Sequence, residues 1–341
     1  MGLTDGRRTR LGKQGDRPFM TPMARILFIT SNRIGDAVLS TAALEQALAD
    51  RPGASVVVAC GPLPATLFRA LPGLERVEVF HKRPGRWRDL WIALRKGGGY
   101  DLAIDLRGSL VTFGLSARRR IVHRKSRIVR HKLDELAALL HRERLPSPRL
   151  HIDAAARASA TDVIGAEGPV LALGAGANFI GKRWPPERFA ELARRLVGAD
   201  GPLKGLPVLL LGAPEDKAIC ETIAATLSAE GIVAIDAAGR LDLLAGAAAL
   251  ERAALFVGND SGLMHIAATV GAPTLGLFGP SDERVYGPRG PRTRALRGPK
   301  SFEEVISIGY MPLIEHSLME EVTVDAVEAA ARDLLAKGGL A

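Results

Sequence analysis

Residues 255–265 read LFVGNDSGLMH, a short apolar run that passes through a glycine into the start of a helix. The run 255–257 has the length and composition of a buried strand, and helical spacing begins at Gly262. A strand followed at once by a helix is the repeating unit of parallel sheets, and it places the turn at the carboxyl edge of the sheet. The stretch therefore predicts an α/β fold with a loop that is open to a ligand.

The turn itself predicts an anion site. The first N–H groups of a helix have no partner within the helix, and they point outward at the positive end of its dipole. The expected binding groups in this stretch are the backbone N–H groups of Gly262 and Leu263 and the side chains of Ser261 and His265. A simpler interpretation is that Asp260 or Ser261 only caps the helix, as such residues commonly do.

The same alternation of apolar runs and helical stretches extends over the whole chain, which is typical of parallel sheets covered by helices. Strands are predicted at 25–30, 55–60, 77–80, 101–106 and 127–130, and again at 170–173, 208–211, 232–235, 255–257 and 274–278. Helices are predicted at 36–50, 87–96, 133–140 and 324–336, and from residues 186, 216, 243 and 262. Residues 279–299, rich in Gly, Pro and Arg, are predicted to form a long loop.

A chain of 341 residues exceeds the usual size of one hydrophobic core, so two domains are expected. The proline-bearing stretch 145–153, LPSPRLHID, has no clear period and marks the boundary. We predict Rossmann-like domains at 25–148 and 149–341. Residues 1–24 form a basic leader that is expected to be disordered, unless translation starts at Met20 or Met23.

Composition excludes several classes of protein. Two cysteines could not staple a chain of this length, which favours a reducing compartment. No apolar run reaches the roughly 18 residues of a membrane-spanning helix, and the leader lacks the hydrophobic segment of a secretory signal. The sequence therefore predicts a cytoplasmic protein.

Charge is distributed unevenly along the chain. Residues 1–160 hold 29 Lys and Arg against 14 Asp and Glu, whereas the rest hold 17 against 23. A basic first domain predicts an anionic partner, and nucleic acid is disfavoured because basic and aromatic residues are not interleaved. A phosphorylated lipid or a sugar acid at a membrane surface explains the positive charge of the first domain as well as nucleic acid does. The alternative is that these arginines are simply solvated.

Three further loops that follow predicted strands carry polar groups. The stretch 174–184, GAGANFIGKRW, offers Asn178 and Lys182 as donors to a phosphate, although Lys182 could equally be a solvated loop residue. GAPED, 212–216, places Glu215 where it could accept from ribose hydroxyls, or where it only complements a helix dipole. In TSNRIGD, 30–36, Asp36 stands at a helix start as a general base or as a cap.

Taken together, IGDAVLSTAAL, GKRWPPERFAELA, LLGAPED and GNDSGLMHIAATVGAPTLGLFGPSD resemble the successive motifs of glycosyltransferase family 9, the ADP-heptose:lipopolysaccharide heptosyltransferases. The resemblance runs from about residue 26 to residue 290. It implies a GT-B fold, in which two Rossmann-like domains face each other across a cleft. It also implies that Asp36 is the general base, that Lys182 holds the donor phosphates and that Glu215 lies near the ribose. The donor pocket that it implies is formed by Asp260, Ser261, Gly262, Leu263 and His265.

The implied reaction is an inverting transfer of heptose from ADP-heptose to the inner core of lipopolysaccharide, an anionic glycolipid. Peripheral contact with the inner membrane is expected, and nucleic acid is not. Alternatives are another nucleotide sugar or acceptor, or a nucleotide-sugar epimerase of the same architecture. No cofactor is expected, since the ADP-sugar is a substrate. No metal is expected either, because no His, Cys or Asp set has the spacing of metal ligands.

Overall fold

The computed structural model describes residues 23–81, 86–124, 128–165, 168–307 and 314–337. They form two parallel sheets, each covered by helices on both faces, as predicted. Residues 1–22 of the predicted basic leader lie outside the described residues. The predicted domain boundary after residue 148 falls in the extended segment that joins the helices on either side of it.

The first sheet has five strands in the order β3-β2-β1-β4-β5. Its strands are β1 (Arg25–Ile29), β2 (Ser55–Cys60), β3 (Leu74–Val79), β4 (Tyr100–Asp105) and β5 (Ala117–Val122). Its helices are α1 (Ile34–Ala49), α2 (Arg86–Arg95) and α3 (Lys132–Leu139). The central strands β1, β2 and β4 are almost wholly buried, because helices or turns cover both of their faces.

The second sheet has six strands in the order β11-β10-β9-β6-β7-β8. The strands are β6 (Val170–Gly174), β7 (Val208–Leu210), β8 (Ala234–Asp236), β9 (Ala253–Asn259), β10 (Thr274–Phe278) and β11 (Thr293–Arg297). The helices are α4 (Ala154–Ile164), α5 (Pro186–Val197), α6 (Lys217–Ala229), α7 (Leu243–Leu250), α8 (Gly262–Thr269), α9 (Glu283–Tyr286), α10 (Phe302–Ile306) and α11 (Val324–Lys337). Because β10, β9, β6 and β7 are neighbours, the loops that follow them meet at one edge of the sheet.

One sequence prediction for the first sheet is wrong. The strand expected at 127–130 does not form: residue 127 lies outside the described residues, and Ile128–Arg130 are not in a strand. The fifth strand is β5, whose sequence is ARRRIV and whose three arginines are exposed. An edge strand has only one strand neighbour, so it tolerates charged residues and lacks the apolar run that marks a central strand.

The predicted long loop at 279–299 is also wrong in part. It contains the short helix α9 and the edge strand β11, which pairs in parallel with β10. Arg297 anchors this segment, since its guanidinium bonds to the carbonyl oxygens of Gly279 and Ser281 and to the Glu283 carboxylate. An arginine that satisfies several backbone oxygens can hold a stretch whose composition alone indicates a loop.

The two units meet where α1 and α8 begin. A Cβ placed on Gly35 would lie 2.7 Å from Cδ2 of His265, and one on Gly262 would lie 2.6 Å from the Ile34 side chain. Both distances are too short for a side chain, so glycine at these positions lets the two helix starts touch. The start of the first helix and the predicted anion site therefore lie against each other.

A second link lies at Arg69, after the turn that follows β2. Its guanidinium pairs with Asp153 at 2.9 Å and also with Asp242. These two carboxylates cap the helices α4 and α7 by accepting their first N–H groups. One arginine thus joins the first sheet unit to two helix starts of the second unit.

Candidate functional site

The start of α8 has free hydrogen-bonding capacity. Ser261 occupies the N-cap position in an extended conformation, with φ −147° and ψ 174°, yet its side chain makes no cap hydrogen bond. Its hydroxyl oxygen is buried and finds no partner among the residues that the structure describes. The capping alternative from the sequence is thus disfavoured for Ser261, and the hydroxyl and the first-turn N–H groups are left for a ligand.

Lys182 lies directly beside this turn. Its Nζ donates to Oδ2 of Asp260 at 2.5 Å, and the side chains are only 18% and 9% exposed. The ammonium also lies 5.6 Å from the centre of the Phe179 ring. Lys182 is therefore an ordered, largely buried cation rather than a solvated loop lysine, and it lies next to the helix start as the partner of Asp260.

Asn259, which was not singled out from the sequence, fixes the two loops relative to each other. It is fully buried; its Oδ1 accepts from the Trp184 backbone N–H at 3.0 Å, and its Nδ2 donates to the Ala175 carbonyl at 2.7 Å. A single buried amide thus ties the loop after β6 to the loop after β9. It holds Lys182 and Asp260 in register, and so it positions the binding groups.

The other two predicted donor-binding side chains belong to the loops after β6 and β7. Asn178 and Glu215 are both exposed. The buried carboxylate of the GAPED loop is instead Asp216, whose Oδ2 accepts from the Ala213 N–H at 3.0 Å. A Cβ on Gly176 would overlap this carboxylate, so Asp216 spans the gap between the loops after β6 and β7. From the sequence alone, either member of the adjacent pair Glu215 and Asp216 could have been the buried carboxylate.

Asp36 faces this cluster from the first unit. It lies in the first turn of α1, where Ser31 Oγ is 3.4 Å from its Oδ2, and Arg33 provides the N-cap without a side-chain hydrogen bond. Asp36 therefore does not cap the helix in the way the simpler interpretation supposed. The carboxylate is partly exposed and interacts electrostatically with His265, Lys132 and Tyr286.

Lys132 and Tyr286 complete the wall around Asp36, and neither was predicted from the sequence. Burial works to lower the pKa of Lys132, but the carboxylate of Glu135, 2.6 Å away, together with Tyr286 and Asp36, raises it above its ordinary value. Burial raises the pKa of the Tyr286 phenol. At neutral pH the wall therefore presents a charged lysine and a neutral phenol beside the carboxylate.

His265 lies between the two units. Burial lowers its pKa to about 4, against the opposing effect of the carboxylates of Asp260 and Asp36. The imidazole is therefore neutral at physiological pH, and it can donate one N–H without adding charge. Its predicted role as a neutral donor to a phosphate oxygen stays a prediction.

We expect Ser261→Ala to leave the free energy of unfolding unchanged within about 0.5 kcal/mol, because the hydroxyl makes no cap bond. It should weaken ADP binding about tenfold, because a donor to the phosphates is lost. Isothermal titration calorimetry and urea unfolding measure the two effects. The matched control is Ser301→Ala, which removes a cap bond of 3.2 Å at α10 and should leave ADP binding unchanged. Normal ADP binding by Ser261→Ala would remove this hydroxyl from the site.

Acid should destabilise the chain partly through His265. The unfolded imidazole gains its proton near pH 6.5, whereas the folded one stays neutral down to about pH 4, so stability is lost as pH falls through this window. Burial also lowers the pKa of His131, which therefore adds an effect of the same sign. Between about pH 6.5 and pH 5, the free energy of unfolding of His265→Gln should fall by about 2 kcal/mol less than that of the parent. Urea unfolding at each pH measures this difference. Equal losses in both proteins would place the acid sensitivity elsewhere.

Candidate metal sites and membrane-spanning helices are both absent from the residues that the structure describes. Across these residues no three His, Cys, Asp or Glu side chains form a group that could hold a metal ion. No helix in the same part of the chain is long and apolar enough to cross a membrane.

Comparison with known proteins identifies relatives of one kind. The chain is 28% identical over 207 residues to lipooligosaccharide heptosyltransferase 2 of Haemophilus influenzae, covering 58% of this chain and 56% of that protein. It is 30% identical over 183 residues to lipopolysaccharide heptosyltransferase 2 of Salmonella typhimurium, covering 52% of this chain and 50% of the relative. These matches thus span about half the length of each curated relative.

Solved structures extend the likeness over the whole fold. The structure of ADP-heptose lipopolysaccharide heptosyltransferase II from Escherichia coli superposes with a TM-score of 0.74 at 23% identity, covering 92% of this chain and 99% of the other. The predicted GT-B fold is thereby confirmed. The family model of glycosyltransferase family 9 (heptosyltransferase) matches residues 112–305, more than half of the chain. The chain therefore belongs to glycosyltransferase family 9.

Proposed function

We propose that this chain is an inverting glycosyltransferase that transfers a heptose from ADP-heptose to the inner core of lipopolysaccharide. One observation carries the proposal: an anion site, made by Lys182 and the start of α8, lies against the helix turn that holds Asp36. Membership of a heptosyltransferase family supports the sugar, and the names of the relatives support the acceptor.

In the proposed reaction a hydroxyl oxygen of the acceptor attacks the anomeric carbon of the heptose. The hydroxyl proton passes to the Asp36 carboxylate, and the bond from the anomeric carbon to the phosphate oxygen breaks, with its electron pair leaving on ADP. Attack from the face opposite the leaving group inverts the configuration. Asp36 lies in the first unit and the anion site in the second, so the two reactants would approach from opposite sides of the cleft.

Catalysis requires that the growing charge on ADP be stabilised more in the transition state than before it. Lys182 supplies a full positive charge, and the Ser261 hydroxyl, the α8 N–H groups and the neutral His265 would supply hydrogen bonds. Since the diphosphate would compete with Asp260 for Lys182, binding is expected to rearrange a pair that already exists. We expect turnover to need neither a metal nor a cofactor. Unchanged transfer in the presence of a chelator such as EDTA would test the first part, and transfer by purified protein with only donor and acceptor added would test the second.

Two adjacent acidic residues are candidates for binding the ribose. Glu215 is the residue implied by the family resemblance, and Asp216 is the buried carboxylate at the same loop. Glu215→Gln and Asp216→Asn would separate the two roles. For each variant, the affinity for ADP is compared with the affinity for inorganic pyrophosphate, which has no ribose. The ribose-binding residue is the one whose variant loses affinity for ADP but not for pyrophosphate.

We place the reaction in the cytoplasm, where free thiols persist. Cys60 and Cys220 are both free and buried, which suits a reducing compartment.

The decisive experiment incubates the chain with radiolabelled ADP-heptose and core-truncated lipopolysaccharide. Label on the glycolipid, with inverted anomeric configuration by NMR, supports the proposal.

Other products of that incubation would redirect it. An altered free sugar would indicate an epimerase, and unchanged donor would contradict heptosyl transfer. A parallel series with UDP- and GDP-linked sugars tests the donor, and a series of core truncations tests the acceptor. Faster transfer from one of these other donors would replace ADP-heptose in the proposal.

A further inference from the structure

The guanidinium of Arg107 lies at the carboxyl edge of the first sheet. Arg107 is the second residue after β4, and it contacts the ring of Phe80, the residue that directly follows β3. Because β2 and β1 lie between these two strands, the side chains of Arg107 and Phe80 together reach across their carboxyl ends. Open parallel sheets bind their ligands at this edge. Arg107 therefore belongs to the cleft side of the first unit.

Two stacked aromatic rings support this guanidinium. Its central carbon lies 4.4 Å from the Phe80 ring centre and 5.7 Å from that of Trp87, and the two ring centres are 6.0 Å apart. Contacts between a cation and aromatic rings are attractive, and they leave the N–H groups of an arginine free to bind other partners. Arg107 is thus an ordered cation rather than a flexible surface side chain.

A hydrogen bond ties Arg107 to the loop between β1 and α1. Its Nη1 donates to Oδ1 of Asn32 at 2.6 Å. Asn32 packs over the end of β2, since a Cβ on Gly61 would lie 2.7 Å from its side chain. The same loop contains Ser31, whose Oγ is 3.4 Å from Oδ2 of Asp36. One short loop therefore connects Arg107 to the proposed general base.

The positive charge of Arg107 has no ion-pair partner within the part of the chain that the structure describes. The carboxylate that acts on it electrostatically is the fully buried Asp105. Asp105 instead accepts from the backbone N–H groups of Arg107 and Ser109, both at 3.0 Å, and from the Ser109 hydroxyl at 2.6 Å. Burial lowers the pKa of the Arg107 guanidinium, because its charged form loses hydration. A partly desolvated charge is costly unless an opposite charge compensates it, which suits the site to an external anion.

From this arrangement we propose that Arg107 binds an anionic group of the acceptor sugar, a carboxylate or a phosphate, beside the hydroxyl that attacks the donor. This inference deepens the proposed function and rests on it, since Asp36 marks where that hydroxyl reacts. A guanidinium offers parallel N–H groups that match the paired oxygens of either anion. A neutral sugar would leave the cation uncompensated, so Arg107 would select acidic acceptors.

Transfer to a delipidated core oligosaccharide tests the proposal, with the acceptor KM measured at saturating donor. Arg107→Gln keeps an amide that can donate to Asn32 but loses the charge. We expect it to raise the acceptor KM about 10- to 100-fold, because a charge-assisted pair is lost, and to leave the KM for ADP-heptose unchanged. Arg107→Lys keeps the charge without the planar fork, and it should recover part of the loss.

Three forms of the acceptor identify the anion: the unmodified oligosaccharide, one with its carboxyl groups methyl-esterified, and one that is dephosphorylated. The parent should bind the form that lacks the recognised group more weakly, by about the factor seen for Arg107→Gln with the unmodified form. This comparison needs no variant. Arg107→Gln should show no further loss with that form. An equal loss by the variant with all three forms would mean that Arg107 only supports the loop, and would overturn the proposal, as would an unchanged acceptor KM.

Arg142→Gln is the matched control. Arg142 is exposed in the same basic unit and pairs with Asp50, the C-cap of α1, at the opposite end of that helix from Asp36. This variant should leave both KM values unchanged, and urea unfolding checks that each variant is folded. If Arg142→Gln raised the acceptor KM as much as Arg107→Gln, the effect would come from the overall charge of the unit and the proposal would fail.

Calorimetry without donor separates this inference from the proposed function. The parent should bind the unmodified oligosaccharide, and Arg107→Gln should bind it at least about tenfold more weakly. If that difference is found but no donor gives transfer, the anion site stands and the proposed function fails. If the parent transfers heptose and the loss in Arg107→Gln is the same for all three acceptors, the function stands and Arg107 is removed from the acceptor site.

Discussion

Asp36→Asn is expected to lower the turnover number by about 10²- to 10⁴-fold while ADP binding stays the same. The amide keeps the size and the helix-start position of the side chain but cannot take a proton from the attacking hydroxyl. Neither the N-cap of α1 nor the buried core depends on this carboxylate, so the fold should be retained. Single-turnover transfer and calorimetry with ADP measure the two quantities.

Asp325→Asn is a matched control, because Asp325 also lies in the first turn of a helix, α11, far along the chain. It should leave turnover unchanged. If Asp36→Asn transfers heptose at a near-normal rate, the carboxylate serves only the helix and another base must be sought around Lys132 and Tyr286.

Lys182→Ala should weaken ADP binding and slow transfer, each by on the order of 10²-fold. Removing the ammonium deletes the positive charge that faces the leaving diphosphate. It also leaves the Asp260 carboxylate, only 9% exposed, without its partner and facing the phosphates. We therefore expect the free energy of unfolding to fall by about 3 kcal/mol as well, as for other buried pairs that lose one member.

The double variant Lys182→Ala/Asp260→Asn separates the two effects. Neutralising the stranded carboxylate should restore most of the stability but little of the transfer rate. Lys217→Ala is the control, since Lys217 forms an exposed pair with Glu221. ADP affinity that is unchanged in Lys182→Ala would move this lysine out of the donor site.

Apolar strands could be predicted from the sequence, including the edge strands β3 and β8, whereas the charged edge strands could not. Strands such as β6 and β10 are buried on both faces, so they consist of continuous apolar residues that can be recognised in the sequence. The edge strands β5, ARRRIV, and β11, TRALR, expose charged residues and lack that signal. The alanine-rich helix α4 was likewise missed, because its small buried residues give little contrast between its faces.

The candidate site was predictable where its residues are close in sequence to a strand end. Asp36, Lys182 and the turn at Ser261 each follow a strand, and parallel strands deliver their ends to one edge. Lys132 and Tyr286 belong to different units and approach Asp36 only through the packing of one unit on the other. Burial also decided between Glu215 and Asp216 as the inward carboxylate, which one-dimensional spacing cannot distinguish.

The contact of Gly35 with His265, and of Gly262 with Ile34, has a mechanical consequence. Atoms near a rotation axis travel least, so a rotation of one lobe about this point would widen the outer rim of the cleft while hardly changing the separation of the reacting groups. Substrates could then be exchanged by small angular excursions without realigning the chemistry at each cycle. Any larger side chain at these glycines would act as a wedge at the axis, and would alter the spacing at the very place where rotation preserves it.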